Sequence, residues 1–194
     1  MSNIKTFFEE CLTLPWKPNP QNNPQHENQV EKLLIKHGIK YVYQPNGKQK
    51  PPDFKILHDK VYDPYFKCDG WKSSISVECK SSKQVYPTYN STLPQKETVY
   101  IFSSQKYNET TIFFGGDIVD DVKREMYNQY LIEQEELLQK HRRLVGWHDP
   151  SRGFDFYNRE MYIQQGKNGE KNYFSHFDRE RCEQNVLDKM ENAK

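Results

Sequence analysis

The stretch Gly47-Lys-Gln-Lys-Pro-Pro-Asp-Phe54, followed downstream by Val77-Glu-Cys-Lys-Ser-Ser82, decides how the chain is read. Phe54-Lys-Ile-Leu57 alternates in polarity, as a half-buried strand does. Ser74-Ile-Ser-Val-Glu-Cys79 alternates again, so Ile75, Val77 and Cys79 share one face while Glu78 and Lys80 share the other. With the two strands as antiparallel neighbours, a bend at Pro52 brings Asp53, at the opening of the first, beside Glu78 and Lys80 at the end of the second. Two carboxylates that converge without an arginine repel each other. A hard divalent cation relieves that repulsion, and oxygen ligands suit Mg²⁺. A lysine beside the ion can orient or help deprotonate a water, or neutralise charge in the transition state. Metal, water and ammonium together suit hydrolysis of a phosphodiester.

Outward from this pair, residues 3–12 read as a short helix with Ile4, Phe7, Phe8, Cys11 and Leu12 on one side. Pro15, Pro18, Pro20 and Pro24 follow, an extended connector that marks this helix as an arm. Residues 25–37 form a second helix with Val30, Leu33, Leu34 and His37 on one face, closed by Gly38. Residues 39–44, 98–102 and 110–114 read as strands, and residues 58–72, with Pro64 and Gly70, as a long loop. Gly115-Gly116-Asp117 lacks the Lys-Ser/Thr of a phosphate-binding loop and reads as an exit turn from a strand. A long helix runs from Asp120 or Asp121 to about Val145. Residues 154–164 and 171–177 are candidates for a hairpin, and 178–190 for a last helix.

Composition bounds the class. The chain of 194 residues has room for one domain, or one domain with an arm. Mean hydropathy is -1.03, but aromatics reach 14%, which argues against wholesale disorder. No apolar run approaches the roughly 18 residues of a membrane span, and the N-terminus does not read as a signal peptide. Cys11, Cys68, Cys79 and Cys182 form no C-x-x-C pair, so they read as free thiols of a cytoplasmic protein. Net charge is +1, yet residues 40–85 hold nine lysines against five acids, a local basic segment facing an anionic partner.

Pro52-Asp53 with Glu78-x-Lys80 resembles the signature of the PD-(D/E)xK nucleases. The longer stretch, with Tyr89-Asn90 and Leu93-Pro94, is similar to type II restriction endonucleases in particular. The resemblance covers about residues 25–119. It implies an α/β fold of the restriction-endonuclease-like class, a central mixed β-sheet flanked by helices. It implies that Asp53, Glu78 and the backbone carbonyl of Cys79 ligate Mg²⁺, that Lys80 is the catalytic lysine, and that Glu31 is the helix acid supporting the metal. Asp69, nine residues before Glu78, is the rival to Asp53 as first ligand. The family's helix after the third strand is not expected here, because Pro87 and Pro94 interrupt residues 82–96.

On this reading residues 1–24 are the arm and connector and 25–194 the nuclease domain, with a recognition and dimerisation region over 120–194. Lys83, Tyr86, Tyr89 and Asn90 lie just past the site and are candidates for contact with double-stranded DNA. The expected activity is Mg²⁺-dependent cleavage at a short specific sequence by a homodimer, with no membrane partner. The rivals are a structure-specific repair or mobile-element nuclease and a nucleic-acid-binding module without catalysis.

Overall fold

Side-chain alternation sorts the sheet into two apolar faces, and the helices follow from it. The computed structural model describes residues 3–18, 25–48, 50–63, 68–89, 93–148, 172–191 and 193. Its strands are β1 (Tyr41–Tyr43), β2 (Phe54–Asp63), β3 (Cys68–Ser82), β4 (Val99–Ser104) and β5 (Glu109–Phe114). They form one five-stranded sheet in the order β1-β2-β3-β4-β5. β3 and β4 are parallel and every other pair is antiparallel. The chain is therefore a mixed α/β protein whose helices flank a mixed sheet.

Phe54, Ile56, Ile75, Val77, Val99, Ile101 and Ile112 line the larger core. Three helices supply the other wall: α1 (Asn3–Cys11), α2 (Gln25–Lys36) and α5 (Arg179–Glu191). Each presents an i, i+3 or i, i+4 stripe: Ile4, Phe7, Phe8 and Cys11; Val30, Leu33 and Leu34; Val186 and Met190. The opposite face carries Tyr100, Phe102 and Phe113, covered by Tyr89, Tyr173, Phe174 and Cys182. Helix α5, packed beside β5, touches both cores.

Three expectations change. The N-terminal helix is no free arm: Phe7 and Phe8 are 0% exposed in the larger core, a burial worth about 1.5–3 kcal/mol for each ring. Glu10 ties α1 to α2 by accepting from Lys36 and from His37 Nε2, the latter at 2.7 Å. Residues 58–72 are not one long loop. β2 continues to Asp63 and β3 begins at Cys68, with Asp63 opposite Cys68 and Val61 opposite Gly70. Cross-strand pairing outweighs the local turn signal of Gly70, while Pro64 lies outside the described residues. Residues 172–177 are turns rather than a strand, and residues 154–164 lie outside the described residues.

Other features follow the sequence. No helix occurs among the described residues between β3 and β4, as Pro87 and Pro94 require. Gly115 opens a short helix, α3 (Gly115–Ile118), where the sequence suggests a plain exit turn. A Cβ there would stand 2.2 Å from the Gln95 carbonyl oxygen, so the glycine is needed for backbone packing. Helix α4 (Asp121–His148) follows. No described helix is long and apolar enough to cross a membrane.

Candidate active site

β3 outruns β2. Phe54, the first residue of β2, lies opposite Val77, so residues 78–82 of β3 have no β2 partner. Asp53 fills the start of that open edge. Its carboxylate Oδ2 accepts the backbone N–H of Cys79 at 2.7 Å. Its own carbonyl accepts from the Gln44 N–H at 2.7 Å, which fixes residue 53 between the end of β1 and the edge of β3. The N–H and C=O of one strand residue point to the same side. The Cys79 carbonyl therefore faces the edge that Asp53 occupies.

Glu78 and Lys80 project together, as residues i and i+2 of a strand do. Lys80 Nζ donates to Glu78 Oε1 at 2.7 Å. The register sets Glu78 beside Tyr100 and Lys80 beside Phe102, so an apolar wall backs the ion pair. Glu78 is 8% exposed, and its second oxygen, Oε2, is buried without a hydrogen-bond partner. A buried carboxylate oxygen with no donor is costly unless something else supplies positive charge.

Electrostatics mark the same place. Burial first, then the charges of Glu78 and Glu27, push the Asp53 carboxyl up to about 7, against smaller lowering by the Cys79 N–H and Lys80. Burial likewise raises Glu27, and repulsion from Glu78 and Glu31 adds to it, while the Tyr43 hydroxyl and Lys80 oppose the shift. The Tyr43 hydroxyl donates to Glu27 at 2.9 Å, and the Tyr41 hydroxyl to Glu31 at 2.8 Å. Burial and Glu31 push the Tyr41 hydroxyl up to about 12.

Glu27 is thus a helix acid whose charge reaches Asp53, and reading the sequence alone passed over it. The available signal was the i, i+4 spacing of Glu27 and Glu31 on one face of α2. Asp69 does not compete with Asp53. It sits in the same strand as Glu78, nine residues away, or about 30 Å along an extended chain. Asp59 pairs with His58 Nδ1 at 3.0 Å, farther along β2.

The expected DNA contacts divide. Lys83 is exposed just past β3, and Tyr86 is half-buried against the second core. Tyr89 is corrected to a core residue: it is buried, its ring meets Tyr100 edge-on, and its hydroxyl lies 3.3 Å from that of Tyr173. The aromatic sheet face needs a cover, and Tyr89 supplies part of it. Asn90 lies outside the described residues.

Among the described residues, no three His, Cys, Asp or Glu side chains form a group that could hold a metal ion. The donors that do converge are the Asp53 carboxylate and the Cys79 carbonyl edge, with Glu78 coupled to them by charge. That set fits an ion such as Mg²⁺, which keeps several waters and takes only one or two protein carboxylates beside a phosphate. The orphaned Glu78 Oε2 and the repulsion felt by Asp53 are what such an ion would relieve. Cavities of about 340 Å³ beside His58 and Met190 and about 200 Å³ beside Asp117 and Cys182 lie elsewhere. Comparison with protein-family models, curated proteins and solved structures gave no match.

Proposed function

We propose that this chain is a Mg²⁺-dependent endonuclease of the PD-(D/E)xK kind, with a restriction-endonuclease-like fold, that hydrolyses double-stranded DNA at a short specific sequence. One observation carries the reading: at the open end of β3, Asp53, the Cys79 backbone and the Glu78–Lys80 pair are brought together, with one buried carboxylate oxygen unsatisfied. Asp53, Glu78 and the Cys79 carbonyl would hold the ion, which when bound supplies positive charge to the scissile phosphate. Lys80, held by Glu78, presents the ammonium that orients the attacking water and offsets charge on the phosphoryl oxygens. The water oxygen forms one bond to phosphorus as the bond to the leaving oxygen breaks. Lys83, exposed just past β3, would meet a phosphate of the same strand. Two copies acting together would cut both strands of a symmetric site.

A second reading is a nucleic-acid-binding module without catalysis. It is favoured by the lack of three converging metal-ligating side chains among the described residues. Incubation with phage DNA and Mg²⁺, read on a gel, separates the readings. Discrete bands support site-specific cutting, a smear supports a structure-specific nuclease, and a mobility shift without cutting supports the binding module.

A further inference from the structure

β2 pairs Lys55 with Val42 of β1 and with Ser76 of β3. Residues opposite one another share a face, so this row lies on the face of Glu78 and Lys80, two and four residues farther along β3. The Leu57 N–H donates to the Lys40 carbonyl at 2.8 Å, which carries the register one residue before β1. Lys40, Leu57 and Ser74 therefore form the next row on the same face. Over β4 and β5 that face is roofed by Tyr89, Tyr173 and Phe174. Over β1–β3 it is bare among the described residues. Lys40, Lys55 and Ser74 are exposed, Val42 is 43% exposed, Leu57 and Ser76 are half-buried, and none of the six belongs to either core.

The charge of this bare floor says what it takes. No ion pair among the described residues uses Lys40 or Lys55, whereas Lys36, Lys96 and Lys189 are each bound to an acid. The nearest acids along the strands are engaged: Glu78 holds Lys80, and Asp59 pairs with His58. Two exposed cations on a polar face suit a polyanion rather than an apolar partner. Ser76 and Ser74 place the two lysine rows about 7 and about 13 Å from Glu78 along β3. We infer that the open face of β1–β3 is the bed of the DNA duplex, which runs from Glu78 toward Ser74 with Lys55 and then Lys40 on its backbone phosphates. The inference rests on the reading of the chain as a DNA nuclease and adds the path of the substrate. Phosphate contacts position a duplex without reading its sequence, so these lysines set where the scissile phosphate falls.

The salt dependence of binding tests it. Fluorescence anisotropy of a labelled duplex, in EDTA so that nothing is cut, gives the affinity of the full chain from about 50 to about 200 mM salt. Each phosphate contact adds about 0.9 to the slope of log affinity against log salt. Lys55→Gln and Lys40→Gln each lower the slope by about that amount, and the double variant by about 1.8. Unrelated duplexes weaken alike, and Lys55→Arg keeps the wild-type slope. Lys32→Gln, at an exposed position of α2 on the other side of the sheet, leaves it unchanged. Both side chains are exposed, so every variant melts as the wild type does. Wild-type slopes in both glutamine variants overturn the inference, as does an equal fall for Lys32→Gln; discrete cutting by the wild type then leaves the nuclease reading standing. A wild type that binds no duplex overturns both.

Discussion

The backbone N–H of Cys79 donates to the carboxylate of Asp53 at 2.7 Å, joining the edge of β3 to the residue that precedes β2. Burial first, then repulsion from Glu78 and Glu27, pushes this carboxyl up to about 7, against the lowering effect of the Cys79 bond. An aspartate in the unfolded chain titrates near 4. Between about pH 4 and about 7 the folded chain therefore holds a proton that the unfolded chain has lost. The stabilisation is fully present below the lower value and fades as pH rises through the upper one.

Asp53→Asn keeps an oxygen for the Cys79 N–H and removes the charge. Without divalent ions, it is expected to be more stable than the wild type at pH 8, by on the order of 4 kcal/mol, and equal to it near pH 4. Urea denaturation across that range measures this. A wild type whose stability does not fall between pH 4 and 7 relative to the variant contradicts the assignment.

Glu27 and Glu31 share a face of α2, but Glu27 is the one that raises Asp53 most directly. Glu27→Gln removes a like charge and lets Asp53 ionise at lower pH. The rising acidic limb of the cleavage-rate profile is expected to move down in pH for Glu27→Gln, and less for Glu31→Gln. Equal shifts, or a larger one for Glu31→Gln, would assign the coupling to the wrong acid.

Phe7 tests the place of the first helix. It is fully buried against the sheet helices, so Phe7→Ala is expected to cost about 3–5 kcal/mol. A detachable arm would tolerate the change with little loss. Chemical denaturation distinguishes the two, and a change below about 1 kcal/mol contradicts the packing.

Much of this layout is written locally. The alternation at Phe54–Leu57 and Ser74–Cys79, and the dense apolar runs at Val99–Phe102 and Thr110–Phe114, each point to a strand without outside help. The spacing i, i+2 also places Glu78 and Lys80 together. What escapes the sequence depends on partners far along the chain. Gly70 suggests a loop until its pairing with Val61 is known. Phe7 and Phe8 read the same on an arm or in a core. That Glu27 rather than Glu31 acts on Asp53 depends on how α2 packs against the sheet, where Tyr43 and Tyr41 of β1 donate to one acid each. Tyr89 sits in a polar loop and looks available to a ligand, but the Tyr100–Phe113 face of the sheet claims it.

Lys80 separates chemistry from binding. Its ammonium is bound to Glu78 and only partly exposed, so Lys80→Ala leaves a buried carboxylate without its donor. Cleavage is expected to fall by about 100-fold or more, while DNA mobility shifts persist. Loss of binding in step with cleavage would instead make Lys80 a DNA contact.

The most direct measurement is cleavage of phage DNA in Mg²⁺ by the wild type beside Glu78→Gln. The paired carboxylates and the lysine predict discrete fragments from the wild type, none without the metal, and none from Glu78→Gln. Intact DNA with the wild type, or equal cutting by Glu78→Gln, contradicts a metal-dependent hydrolytic centre at the open end of β3.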